Sequence, residues 1–215
     1  MTTSDKSLNS TGTRIWLALF FTVFIWSAIN PKDTFTWVLE VAPTIIGLIA
    51  LIFTRKNFPL TTLCYSLILL HCWVLMVGGH YTYAEVPLFD TLKDLLGQSR
   101  NNYDKVGHFM QGFVPAIICR EILIRKKIIN GNFLTHFFTV CFCLAFSAFY
   151  ELIEWWVALL SGEGAEAFLG TQGYIWDTQS DMAWALLGAT CALLLLTPYH
   201  DKQINRIREP LNKSS

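Results

Sequence analysis

Long apolar segments separated by short polar ones make up most of this chain. Six of them approach the roughly 20 mainly apolar residues that a helix needs to cross a bilayer. The predicted spans are 14–29, 34–53, 60–78, 104–124, 133–160 and 178–197. The pattern therefore predicts an all-α fold, a polytopic integral membrane helix bundle of about six transmembrane helices.

The remaining segments are predicted to lie outside the bilayer. Residues 1–13 and 198–215 are expected to be terminal tails that flank a membrane domain over 14–197. Between the third and fourth spans, segment 87–97 (PLFDTLKDLLG) places its leucines at helical spacing. This spacing predicts a short amphipathic helix on the membrane surface, ended by Gly97.

Composition and charge agree with a membrane location. The chain is 53% apolar and 15% charged, and it balances 16 Lys and Arg against 16 Asp and Glu, so nothing suggests nucleic-acid binding. If the N-terminus is cytoplasmic, twelve basic residues fall on the inner side. The outer side keeps four: Lys32, Lys93, Arg100 and Lys105. This asymmetry predicts that both termini are cytoplasmic.

Acidic and histidine side chains occur in pairs near or inside the spans. The pairs are Asp104 with His108, Glu151 with Glu154, and Asp177 with Asp181. Each spacing of three or four residues puts both members on one helix face. A charge at the bilayer centre costs roughly 2.5 to 3.5 kcal/mol, so these groups are expected to be paired, protonated, hydrated or metal-bound. The predicted orientation brings all three pairs to the outer half of the membrane.

These pairs predict a shared site that faces the outer leaflet or periplasm. The candidate catalytic residues are His108, Asp104, Glu151, Glu154 and Asp181. The candidate metal ligands are His108, Glu151, Asp177 and Asp181, and His80 and Tyr83 are expected on the substrate side. A divalent metal ion is the candidate cofactor, because oxygen ligands suit Mg²⁺ or Ca²⁺ and a histidine also admits Zn²⁺ or Mn²⁺.

Structural roles compete with this hypothesis. Asp104 and Asp177 stand where helices begin, so they also fit as N-caps, and the deeper groups also fit a polar knot that only joins helices. The sequence leaves three functions open: an enzyme for a lipid or lipid-linked substrate, a proton- or ion-coupled small-solute transporter, and a non-catalytic membrane assembly subunit. The distances of Glu151 and Asp181 from His108 decide whether a shared site exists.

Four segments carry a family resemblance: GGHYTYAEVP (78–87), NNYDKVGHFMQGFVPAIICREIL (101–123), SAFYELIEWW (147–156) and FLGTQGYIWDTQSDM (168–182). They resemble the YjdF family, which implies a multi-pass protein of the bacterial inner membrane. More distantly, Asp104, His108 and Asp181 resemble the pattern of VanZ-like membrane proteins, from which the chain departs at Ala185, where an Asn is expected. The bilayer and a lipid substrate are the expected partners, and the oligomeric state is left open.

Overall fold

The computed structural model describes residues 8–161 and 166–208, so the outer parts of both predicted tails lie outside the described residues. The helices are α1 Ser10–Ala28, α2 Thr34–Thr54, α3 Thr62–Tyr81, α4 Pro87–Leu95, α5 Tyr103–Arg125, α6 Asn132–Ser161, α7 Glu166–Leu169 and α8 Asp177–Arg208. A 3-10 turn, Tyr83–Glu85, joins α3 to α4. These described parts contain helices and no strand, which confirms the all-α prediction.

Local sequence signals explain where several helices begin and end. Asn9, Asp33 and Thr61 precede the first three helices, and each side chain accepts a backbone N–H from the first turn at 2.6 to 3.3 Å. The amphipathic helix predicted after the third span is present as α4. It begins at Pro87 and buries none of its residues. Gly97 follows it with φ of +61°, a left-handed conformation that glycine adopts without strain.

Among the described residues, five helices are long and apolar enough to cross a membrane: α1, α2, α3, α6 and α8. The chain is therefore a polytopic membrane helix bundle, as predicted. The sixth long helix, α5, has 23 residues but carries polar and charged side chains along much of its length. It packs against α3, α6 and α8, so that these helices shield it from lipid.

Small residues allow α5 and α8 to pack closely. Ala185, Ala189 and Ala192 of α8 are fully buried. A Cβ atom added at Gly112 would overlap the Ala185 backbone, and one added at Gly188 would overlap the backbone of α5. Small side chains at such spacing are typical of tight helix contacts in membranes.

The last helix is longer than the sequence predicts. We expected the sixth span to end at 197, before Pro198, and a tail to follow. Instead α8 continues through Pro198 to Arg208. His200, Ile204 and Ile207 of this extension are buried against the bundle, and these contacts favour the helix beyond the proline.

Successive long helices run in opposite directions, so the bundle has two distinct ends. At one end Arg55, which follows α2, donates to the Leu8 carbonyl, and Leu63 at the start of α3 donates to Gln203 of α8. We call this the basic end, because Arg55 and Lys126 follow α2 and α5 there. We call the opposite end, where α5 and α8 begin, the polar end.

Replacing Gly188 by Ala is expected to destabilise the protein by about 1–3 kcal/mol, because the new methyl group would overlap the α5 backbone. The measurement is the melting temperature in detergent. Gly47→Ala in α2 is the matched control, since a Cβ there meets nothing within 4 Å. That variant should melt at or slightly above the wild-type temperature. Equal melting of Gly188→Ala and wild type would contradict the close contact.

Candidate functional site

His108 lies among carboxylates that come from three helices. Asp104 and His108 belong to α5, Glu151 and Glu154 to α6, and Asp181 to α8. Two sets, Asp104–His108–Asp181 and His108–Glu151–Glu154, each bring their ligand atoms within 4.8 Å of one another. We call these five side chains the His108 cluster. The helix faces predicted from the sequence therefore meet at the polar end.

Both nitrogens of His108 have neighbours. Nε2 lies 3.4 Å from Asp104 Oδ1, and Nδ1 lies 3.7 Å from Glu151 Oε1. Nδ1 also lies 3.1 Å from Oε1 of Gln111, one helical turn further along α5. Because that amide oxygen can only accept, Nδ1 donates this hydrogen bond. His108 is therefore within reach of both Glu151 and Asp181, as a shared site requires.

Asp177, a candidate metal ligand, is paired with an arginine. Arg100 Nη1 lies 2.5 Å from Asp177 Oδ1, and Nη2 lies 3.6 Å from Oδ2 of Asp104. Arg100 also donates to the Gly170 carbonyl and lies over the Tyr174 ring. The Arg100–Asp177 pair lies beside the cluster at the polar end. Asp177 belongs to neither of the two sets of close ligand atoms.

The loop before α8 is fastened to the start of α5. The backbone N–H of Asn101 donates to Gln172 Oε1 at 2.9 Å, and Gln172 Nε2 donates to the Asn101 carbonyl at 2.8 Å. Asn101 Nδ2 also donates to the Val86 carbonyl. These bonds join three of the sequence segments that carry the family resemblance.

A second polar group faces the cluster from α2. Glu40 is buried and interacts with the hydroxyl groups of Tyr83 and Tyr150. The Tyr83 ring occupies space that a Cβ at Gly78 or Gly107 would fill. Burial, and then the nearby Glu40 carboxyl, raises the pKa of Tyr83 well above its usual value, so the phenol keeps its proton.

His80 does not join the cluster. Its Nδ1 lies 3.0 Å from the Ser27 carbonyl, and its ring lies 4.5 Å from the ring of Trp26. Both partners belong to α1. The structure thus places Tyr83 beside the cluster and His80 against a different helix.

Four neighbours of the cluster were not among the predicted site residues: Glu40, Arg100, Gln111 and Tyr150. Two had a visible signal, because Gln111 follows His108 by three residues on one helix face and Glu40 is an acidic residue inside a span. Arg100 and Tyr150 had none, since their positions depend on how separate helices pack.

A cavity of about 650 Å³ connects the cluster to the basic end. At the polar end its lining includes Glu40, Tyr83, Asp104, His108, Gln111, Tyr150 and Glu154. Towards the other end the lining is mainly apolar and reaches Phe58 and Lys126. On the α2 wall, the distance along the helix from Glu40 to Thr54 is about 21 Å.

The charge of the cluster constrains its chemistry. Four carboxylates lie around one histidine in a membrane helix bundle, and like charges in such surroundings repel strongly unless protons or a cation neutralise part of them. The arrangement can therefore hold and transfer protons or bind a cation, and Glu154 and His108 face the cavity where a bound molecule would lie.

The family described as "Predicted membrane protein (DUF2238)" matches residues 12–202, a range that contains the whole cluster. The chain belongs to this family. It is also 51% identical over 184 residues to "Inner membrane protein YjdF" of Escherichia coli (strain K12). The aligned residues cover 86% of this chain and 88% of that protein. The predicted YjdF-family membership is thereby confirmed. No solved structure matches the chain.

Replacing Arg100 by Met is expected to destabilise this YjdF-family protein by about 3–5 kcal/mol, because it leaves buried Asp177 without its cation. Lys32→Met is the control, because Lys32 and Glu85 form a pair whose side chains are 52% exposed. It should change stability by less than about 1 kcal/mol. Melting temperatures in detergent measure both effects.

The double variant Arg100→Met/Asp177→Asn separates lost pairing from general damage. Removing the uncompensated carboxylate should recover part of the lost stability. A single variant that melts like wild type, or a double variant less stable than the single one, would contradict the pairing role.

Proposed function

We propose that the protein takes a lipid or lipid-linked molecule from the membrane and acts on its polar headgroup at the His108 cluster. The observation that supports this most is the continuity of the cavity, which joins a cluster of ionisable groups to a long apolar groove. An amphiphile has the same division into a polar and an apolar part. The volume lies within the roughly 300–1,000 Å³ usual for small-molecule sites.

The groove is shaped by small and apolar residues. On α2 its wall is formed by Pro43, Thr44, Gly47, Ala50, Leu51 and Thr54. These recur at helical spacing, so one face of α2 is directed at the groove. The opposite face carries Ile46 and Ile49, which are exposed as expected for lipid-facing residues.

The packing of the helices favours entry from the side. α2 and α6 both line the cavity, and the described residues show no extensive contact between them. At the polar end α7 packs against α2, α6 and the Tyr83–Glu85 turn, so it bridges the two helices there. A membrane molecule would enter between α2 and α6 with its headgroup beneath α7.

The reaction class we propose is acid–base catalysis of the hydrolysis of a headgroup bond, in which water supplies the OH to one fragment and the proton to the leaving group. Glu154 faces the cavity beside His108, so this carboxyl group is suited to remove and return a proton. The Tyr83 phenol keeps its proton and is suited to donate a hydrogen bond to a headgroup oxygen.

We further propose that the cluster faces the periplasm in a bacterial inner membrane. The E. coli relative is named an inner membrane protein. Arg55, Lys126 and Lys127 lie at the opposite end of the bundle, and basic residues favour the cytoplasmic side. The likeness to VanZ-like proteins stays a prediction, although its Asp104, His108 and Asp181 do lie together in the cluster.

Filling the groove should block binding without harming the fold. Gly47→Phe places a ring in the cavity from a position where a Cβ meets nothing within 4 Å. Ile46→Phe, on the exposed face of the same helix, is the matched control. In vesicles of phosphatidylethanolamine and phosphatidylglycerol, a phosphatidylethanolamine with a photoreactive acyl chain should crosslink to cavity residues. Gly47→Phe should reduce this about tenfold, and Ile46→Phe should not.

Peptide mapping by mass spectrometry identifies the crosslinked residues. Crosslinks confined to the outer surface, or unchanged in Gly47→Phe, would contradict lipid binding in the cavity. Equal melting temperatures of the two variants would establish that the loss is not unfolding.

Catalysis has its own test. The wild type in detergent should convert a component of a total bacterial lipid extract, and Glu154→Gln should lower the rate at least about a hundredfold. Asp94→Asn, on the exposed surface of α4, is the control. Mass spectrometry of the lipids measures the product. Solute uptake by vesicles that is lost in Glu154→Gln, without any lipid product, would instead indicate a transporter.

A further inference from the structure

The hydrogen bond of His108 fixes which of its nitrogens is available. The Nδ1–H group donates a hydrogen bond to the Gln111 amide oxygen, so in neutral His108 the free lone pair is on Nε2. Nε2 is directed at Asp104, and Asp181 completes the same set. Histidines that bind a metal almost always donate their other ring N–H to an oxygen, as His108 does to Gln111.

The distance to Asp104 also fits ligands of one ion. His108 Nε2 and Asp104 Oδ1 are 3.4 Å apart, longer than the roughly 2.7–2.9 Å of a charge-assisted hydrogen bond. Two atoms that each lie about 2.1 Å from a tetrahedral ion are roughly 3.4 Å apart.

Unsatisfied oxygens around the histidine supply a second observation. Among the described residues three buried oxygens accept no hydrogen bond: Asp181 Oδ1, Asp104 Oδ2 and Glu151 Oε1. Arg100 Nη2 lies 3.6 Å from that Asp104 oxygen, and His108 Nδ1 lies 3.7 Å from that Glu151 oxygen. Asp181 is 2% exposed and Asp104 is 6% exposed. Buried carboxylate oxygens are rarely left without a partner, because their desolvation is then uncompensated.

We infer that Asp104, His108 Nε2 and Asp181 bind one divalent cation of the Zn²⁺ or Mn²⁺ type. Two carboxylates neutralise its charge, which suits a site inside a membrane bundle, and a nitrogen ligand favours these ions over Mg²⁺ or Ca²⁺. The inference rests on the proposed function for its role: beside the cavity, the cation would bind a headgroup oxygen, and Glu154 would carry the proton.

A second buried cluster at the basic end provides a control. Cys64, Glu121 and His200 also place possible ligand atoms within 4.8 Å of one another. Here, however, Arg120 Nη1 lies 3.1 Å from His200 Nδ1, which must accept because arginine only donates. His200 Nε2 therefore carries the hydrogen and donates a hydrogen bond to Glu121 Oε2 at 3.0 Å.

Glu121 in that second cluster is already satisfied. It accepts from the Thr61 backbone and hydroxyl groups and from Arg125 at 2.6 Å. Its hydrogen bonds leave no orphaned oxygen and no free histidine lone pair, so this cluster is a polar joint between α3, α5 and α8. The two clusters differ in hydrogen bonding rather than in ligand types.

The test is metal content of the purified full-length protein, measured by inductively coupled plasma mass spectrometry after EDTA treatment and re-addition of Zn²⁺ or Mn²⁺. Wild type should bind about one ion per chain. His108→Gln and Asp181→Asn should bind at least about tenfold less, and Gln111→Ala, which removes only the oxygen that orients His108, should lose about 10- to 100-fold in affinity. His200→Gln should keep the ion.

The melting temperature provides an independent readout, because an ion that binds only the folded state stabilises it. Added metal should raise it in wild type and His200→Gln, but not in His108→Gln or Asp181→Asn. Absence of binding to wild type, or retention of the ion by both ligand variants, would overturn the inference. Metal-free wild type that still crosslinks the photoreactive lipid in the cavity would show that the cation site had failed while lipid binding held.

Discussion

A helix that carries ionisable groups at both ends of a membrane bundle has to be separated from lipid, and the rest of this fold follows from that requirement. α5 holds Asp104 and His108 near one end and Arg120 and Glu121 near the other, and all four are buried. The apolar helices α3, α6 and α8 surround it. Close approach of α8 depends on Gly112 and Gly188, whose missing side chains let the two backbones meet.

Shielding from lipid does not by itself satisfy polar groups, and the two ends of α5 meet that need differently. At the basic end Arg120 bonds to His136, His200 and Asp201. That network is complete, and complete networks inside a membrane serve to hold helices together. At the polar end the carboxylates outnumber the cations, and three of their oxygens accept no hydrogen bond within the described structure. The incomplete network is the one that lines the cavity, which is why we propose the function for that end.

The sequence predicts those features that depend on one helix at a time. Hydropathy locates the long apolar helices, spacing places Asp104 with His108 on one face, and leucine periodicity predicts α4. Contacts between helices are not encoded in local pattern. Arg100 reaches Asp177 across 77 positions and His80 turns to α1, so neither partnership could be inferred from spacing. The extension of α8 past Pro198 was missed for the same reason, because burial of His200 and Ile204 outweighs a local helix-breaking signal.

The missing side chain of Gly47 helps to explain why the cavity is open. Glycine inside a helix lowers stability by roughly 0.5–1 kcal/mol relative to alanine, so it needs a structural reason. Gly112 and Gly188 have one, since a Cβ at either would strike a neighbouring backbone, whereas a Cβ at Gly47 would meet nothing within 4 Å. Position 47 is helical, so no left-handed turn requires glycine there. The remaining explanation for the glycine is that it leaves space in the middle of the groove that leads to His108. A groove kept open in this way, inside a bundle whose other faces carry large apolar side chains, is suited to a ligand that replaces the missing contacts.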